Sequence, residues 1–572
     1  MGRNPVLAEI TSFVVYFVLS IRKATPMRIV TGFFLLPLFF VSQSIQADTL
    51  SNREVLQQVS GDYVQSHRGG EGRASRNDWS AETFLAEIDA KKKQLAVLES
   101  IDPEGFSLEE DIDWRLLIGL LRSDIRMANA LRRWENDPRI YLPGARLGDL
   151  LEGGSAARQD QLNELLAALP KRLAQGRTNL KRPPERFTQA AVFQARNSLE
   201  SMQAALEKMP EEGRENAIEA RDALAAWLAF LENDLLPRSD GSWMLGRETY
   251  DFVLRERWHM EDDADSIYRR GMSAFEETEA QAIAVAARMQ PGKHWTEVYE
   301  TLKDDHPPAD GLKQAYQEQM DRAQEFVRQN GILTLPDGEH VITLDTPPAM
   351  RRSSPFGTFE MVDPFDDGLE GRLFLTPVED WMTAEQKEQR LRSHHNAWIP
   401  VIAVHEAYPG HHAHGIKLKE NPNLLRRVVS ESIFTEGWGL FTEELMFELG
   451  FLQGDAVRLT VLRNRLWRAA RVILDSGLHT GKMSFDEAVA FLVDRVRFDA
   501  YAAELEVGMY IREPTYVLGY LIGMQEMEAI RAEYIKRHGA PNPPSQLYDR
   551  LLEIGAIPPA LAREALFATD RP

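Results

Sequence analysis

The chain has 572 residues, 44% of them hydrophobic and 27% charged, which is the composition of a large folded protein with room for two or three lobes. Its formal net charge of -21 argues against nucleic acid or an anionic membrane surface as a partner. It contains no cysteine, which excludes disulfides, thiol catalysis, Cys-ligated metals and lipid attachment through an N-terminal Cys.

Two apolar segments open the chain. Phe13 to Ile21 is short and is followed by Arg22 and Lys23; the second starts at Met27-Arg28 and stays mostly apolar from Ile29 to Val41. Neither reaches the ~18–20 uninterrupted apolar residues of a membrane span. A basic start, an apolar stretch and a small residue at Ala47 make a secretory signal. Residues 1–47 are therefore expected to be an upstream extension plus a signal peptide starting at Met27. The mature protein is expected in the periplasm, with no stable membrane span.

From residue 48 to 335 the hydrophobic spacing predicts helices, a long helical region that by fold-level analogy is expected to form a lobe over a cleft. Ser80, Ser107 and Thr296-Glu297 mark starts, and Pro170, Pro210 and Gly271 mark stops. From Gly338 to Val378 the period changes. His340–Leu344, Phe356–Met361 and Gly371–Pro377 predict a small sheet just before the histidine-rich stretch. Helices are then expected around 430–450, 456–475, 484–505 and 515–537. The fold class is mainly α, with residues 336–572 as the catalytic region.

Six of the 13 histidines lie between His394 and His414. His405-Glu406 follows the apolar run Ile399–Val404, where a buried His-Glu pair needs partners for its polar atoms. The pair opens an H-E-x-x-H zinc motif, in which two His one turn apart bind the metal and the Glu serves as general base. Here Pro409 stands at the second His position. On a regular helix His411 would be ~600° round from His405, and His412 would face it but lie ~10.5 Å along the axis. Pro409-Gly410 favours a two-residue bulge instead, which returns His411 to the ligand role and leaves His412 as the alternative. Downstream, Glu436 and Glu443 share one face of an apolar helix. Glu436 is the expected third ligand, Glu443 a carboxylate that orients a ligand His, and Glu431 the competing ligand.

The run His405-Glu-Ala-Tyr-Pro-Gly-His-His412, followed by Glu436-Gly-Trp-Gly-Leu-Phe-Thr-Glu443, resembles the bacterial DUF885 family. That family is grouped with the zincins and is similar to helical gluzincin peptidases with a deep cleft. Arg468–His479 resembles its R-x-x-x-D-x-G-x-H helix, and Pro514–Gly523 its P-G-Q-A-x-x-Y-x-x-G segment. The chain departs from the pattern at Thr515-Tyr516-Val517, where the family has Gly-Gln-Ala, and at Met509, where it has Arg. The resemblance implies one zinc ion held by His405, His411 and Glu436, with Glu406 as general base. It also implies oxyanion donors from Tyr520 and His479, each of which reads equally as a packing residue. Asp475 is carried over as a supporting carboxylate.

For substrate, the strand carrying Arg372 and Phe374 is a candidate for edge pairing with a peptide backbone, alongside Tyr516. Arg351, Arg352 and Arg372 are candidate anchors for a peptide C-terminus. The expected activity is hydrolysis of short peptides, of carboxypeptidase, dipeptidase or oligopeptidase type. A metal-dependent amidase or esterase and a non-catalytic helical binding protein are the alternatives; Glu406 weighs against the last, because binding a metal does not require it.

Overall fold

The computed structural model describes residues 51–67, 78–151, 156–207, 213–351, 356–539 and 544–568, together with 209, 211 and 354. The expected signal sequence, Pro210 and Arg352 lie outside the described residues. The fold is mainly helical with one small sheet.

Local chemistry sets the helix ends. Helix α1 (Leu108–Leu131) starts at a capping box in which Ser107 and Glu110 bond each other's backbone N–H groups. The helix Trp295–Leu302 is capped by His294 with Glu297, two residues ahead of Thr296. Two expected stops are helix interiors. Pro170 lies inside Ala156–Asn179, where Leu162, Leu166, Leu169 and Leu173 carry one apolar stripe through it. Gly271 lies inside α3 (Ala264–Met289), which follows α2 (Arg247–Trp258). A Cβ on Gly271 would stand 2.9 Å from Val472 Cγ1, so this glycine permits close helix packing.

The hydrophobic interior forms two clusters. The smaller uses residues between Trp79 and Leu235, with Tyr141, Leu166 and Trp227 at its centre. The larger runs from Leu56 to Phe567 and mixes residues from both sides of 335. Helices α2, α3 and α4 (Leu312–Gln329) thus share one core with the histidine motif. Each fully buried Leu, Ile, Val or Phe there contributes roughly 1.5–3 kcal/mol.

The sheet consists of β1 (His340–Asp345), β2 (Gly357–Glu360) and β3 (Glu370–Leu375), in the order β1-β3-β2. β3 is central, parallel to β1 and antiparallel to β2. Both its edges are used, so the expected pairing of β3 with a substrate backbone does not hold. Gly371, Leu373 and Leu375 point into the core, and Arg372 and Phe374 point to the other face, half-buried. A Cβ at Gly371 would meet His412 Nδ1 at 2.5 Å, so the sheet packs directly against the histidine motif.

The remaining helices that build the site are α5 (Ile399–Glu406), α6 (His411–Lys419), α7 (Ser432–Glu448), α8 (Asp455–His479), α9 (Ala500–Arg512) and α10 (Leu518–His538). The single helix expected over 484–505 is divided. Phe485–Phe491 passes into a wide turn at Leu492–Val496, Arg497 adopts φ 63°, and Asp499 caps α9.

Candidate metal centre

Helix α5 is buried along its whole length after Pro400 in its first turn. It ends at Glu406, and α6 begins at His411. Between them the backbone ladder gains two residues: Gly410 N–H donates to Val404 O at 3.1 Å, and Ala413 N–H to Ala407 O at 3.2 Å, six residues back instead of four. The break expected at Pro409-Gly410 is present. A Cβ on Gly410 would lie 1.9 Å from His405 O, so only glycine fits. From α7, Trp438 Nε1–H donates to Pro409 O at 2.8 Å and holds the break.

The bulge aims His411 where His405 points. His405 Nε2 is 3.8 Å and His411 Nε2 3.5 Å from Glu436 Oε2. One ligand atom from each of the three residues lies within 4.8 Å of the others, and among the described residues no other group of three or more such side chains converges this way. All three are at most 2% exposed. On the far side of its ring, His405 Nδ1–H donates to Glu443 Oε1 at 2.9 Å, the orienting role expected of Glu443.

The Glu-Gly-Trp-Gly sequence of α7 follows from packing. A Cβ on Gly439 would sit 2.8 Å from the His405 ring, and one on Gly437 would sit 2.5 Å from the backbone of Gly523. The second contact draws α10 against α7. It brings Tyr516, in the turn before α10, to Glu436, whose Oε1 accepts its hydroxyl at 2.9 Å.

Both His411 ring nitrogens, Glu436 Oε2 and Glu406 Oε2 are buried without a hydrogen-bond partner, an expensive state for polar atoms. Burial pushes the Glu406 carboxyl up, against the nearby imidazoles. Burial would also raise Glu436, but the two imidazoles outweigh it and hold that carboxyl well below its usual range. Burial would lower His405, yet Glu436, Glu443 and Glu406 carry it up to about 10. Two imidazole nitrogens and one carboxylate, with unpartnered atoms converging, is a donor set that fits zinc with a position left open.

Other expected residues fall elsewhere. His412 turns away: its Nε2–H donates to Glu339 Oε2 at 3.0 Å, and its ring lies against the sheet at Gly371. His479 is not poised for catalysis. Leu245 N–H donates to its Nδ1 and its Nε2–H donates to Tyr510 O, so both nitrogens tie backbone segments together. Asp475 stands apart from the cluster, accepting from Tyr250 Oη–H at 2.7 Å and from Thr515 N–H at 3.1 Å. It steadies Thr515, whose φ of 70° is strained for a β-branched residue, and so the turn that presents Tyr516. Glu431 is occupied by Arg257 and Trp258. Arg372 is held by Glu370, and Arg351 by Glu379. Tyr520 is buried beside Tyr516, ring centroids 6.3 Å apart. Burial and the Glu436 charge hold its hydroxyl well above the usual range, so it remains an O–H donor.

Sequence reasoning missed Glu339. It accepts from Tyr408, His412, Arg328 and Gln324, and so anchors the bulge to the sheet and α4. A single Glu ahead of a strand carries no signal of that role. It also assigned Tyr516 to substrate, where the structure puts its hydroxyl on Glu436.

No curated protein matches this chain. Solved structures share its fold, among them two helical proteins. A protein of unknown function from Shewanella oneidensis, named as a candidate lipoprotein, is 20% identical with a TM-score of 0.75, over 91% of this chain and 100% of that one. A candidate lipoprotein from Colwellia psychrerythraea is 14% identical with a TM-score of 0.71, over 91% and 99%. The family described as "Bacterial protein of unknown function (DUF885)" matches residues 63–566. With that match spanning nearly its full length, the chain belongs to the DUF885 family.

Proposed function

We propose that this protein is a zinc-dependent hydrolase that cleaves amide bonds in short peptides. The observation that carries the proposal is the buried convergence of His405, His411 and Glu436 beside the unpartnered carboxyl of Glu406. His405, His411 and Glu436 would hold the ion, which when bound supplies Lewis acidity for a carbonyl and acidifies water. Glu406 Oε2 is free to accept a proton from the attacking water and return it to the leaving amine. Its burial raises its basicity, which suits a base working near neutral pH. Glu443 fixes the His405 ring, and Tyr516 fixes Glu436. Tyr520 would supply an O–H donor for negative charge on the carbonyl oxygen.

Export forms part of the same proposal. The signal-like N-terminal segment supports it, as do the names of the two structural relatives. No helix among the described residues is long and apolar enough to cross a membrane.

The test has two arms. Purified wild-type protein is expected to bind one zinc per chain, and His405→Ala and Glu436→Ala to lose it; unchanged metal content in both variants would remove the ligand assignment. Glu406→Gln is expected to keep the zinc and lose at least ~100-fold in turnover of a peptide library read by mass spectrometry. Zinc-loaded wild-type protein that cleaves no peptide would sink the hydrolase reading.

A further inference from the structure

Two of the four buried arginines among the described residues are answered by a carboxylate: Arg471 pairs with Glu506 at 2.7 Å, and Arg426 with Asp113. Arg468, on α8, is not. It is 3% exposed, and its Nε and Nη1 have no hydrogen-bond partner. Its neighbours are rings, with its Cζ 4.3 Å from the Trp467 centroid and 5.5 Å from that of Tyr520. One turn earlier on the same face, Asn464 is fully buried with both amide atoms unpartnered. Arg463 also lacks a carboxylate, but three rings, of Tyr299, Trp467 and Phe498, face it within 5.7 Å.

A guanidinium cannot shed its proton, and burying one without a counter-charge is costly. Arg468 is linked to the candidate metal centre through neighbouring side chains. It faces Tyr520, which packs on Tyr516, which in turn bonds Glu436. Glu443 is near enough for its charge to be felt at Arg468, without forming an ion pair. The interior therefore keeps a cation and an amide that lack hydrogen-bond partners, the cation within reach of the Glu443 charge.

We infer that Arg468, assisted by Asn464, receives a carboxylate of the substrate. The planar fork of the guanidinium suits a carboxylate in two parallel hydrogen bonds, and the amide adds a donor. The inference rests on the hydrolase reading and narrows it to peptides carrying a carboxylate close to the scissile bond. The sources are a free C-terminus, which makes the protein an exopeptidase, or an acidic side chain.

Glu406→Gln protein, with one equivalent of zinc added, separates binding from turnover. Three N-acetylated tripeptides serve as calorimetric probes: one with neutral side chains and a free C-terminus, its C-terminal amide, and an amide containing Glu. The free acid is expected to bind about 10- to 100-fold tighter than the neutral amide. Adding Arg468→Met should abolish that preference without lowering the melting temperature, since an apolar side chain replaces an unpaired cation. Tight binding of the Glu-containing amide, lost in the same variant, supports the inference with a side chain as the source. Equal binding of all three peptides, no binding of any, or a preference that survives Arg468→Met overturns it. The two readings fail separately. Wild-type protein that cleaves acids and amides with equal kcat/KM keeps the hydrolase and loses the carboxylate site. Acid binding through Arg468 with no cleavage by zinc-loaded wild-type protein does the reverse.

Discussion

Glu443 decides which nitrogen of His405 faces the cluster. Its carboxylate accepts a hydrogen bond from Nδ1–H, leaving Nε2 toward Glu436. Glu443→Ala should therefore weaken zinc binding about 10- to 100-fold while leaving the three ligands in place; competition with a chromophoric chelator measures this, and unchanged affinity would contradict it. Residues that touch the cluster were legible where a chemical rule fixes their spacing. His405, Glu406, His411 and Glu436 follow from such rules. Glu339 does not, because a buried Glu that gathers Tyr408, His412, Arg328 and Gln324 has no fixed distance in sequence from any of them. His479 was legible as buried but not as idle, since nothing in its neighbours along the chain shows that Leu245 and Tyr510 will claim both its nitrogens.

At the scale of elements, the interrupted α5–α6 segment is the sensitive part. Any side chain at Gly410 collides with His405 O, a backbone atom that cannot move aside. Gly410→Ala should cost at least ~2 kcal/mol by urea denaturation and also release zinc; a variant with wild-type stability and metal content would show that the bulge adapts. The break was readable because Pro and Gly announce it. The sheet was readable because β-branched and aromatic residues changed the period. The helix over 484–505 was misjudged because its interruption falls at Arg497, where neither Gly nor Pro stands. Pro170 and Gly271 misled in the opposite sense: apolar residues on both sides carry the helix through, and the missing Cβ of Gly271 serves the packing of α3 against α8.

For the whole molecule, burial of neutral imidazoles contributes to the response to acid. Burial lowers His394 to about 3, His395 to about 3 and His479 to about 4. All three stay neutral in the folded protein, whereas the unfolded chain protonates them below pH ~6.5. Their contribution is therefore complete above that pH and is lost as pH falls toward 4. The urea midpoint should drop across this window, and His395→Gln should make the drop shallower; an identical slope in that variant would remove His395 from the explanation. The two cores were not legible, because the chain crosses 335 without leaving the larger one. The bulge between His405 and His411 also has a consequence for how such proteins diverge. Removing Pro409 and Gly410 together would leave His-Glu-Ala-Tyr-His, an uninterrupted zinc motif with the ladder back in register. Removing either one alone would turn His411 ~100° off target. The two forms differ by two codons, so a search that demands fixed spacing between the histidines passes over a chain that carries the pair.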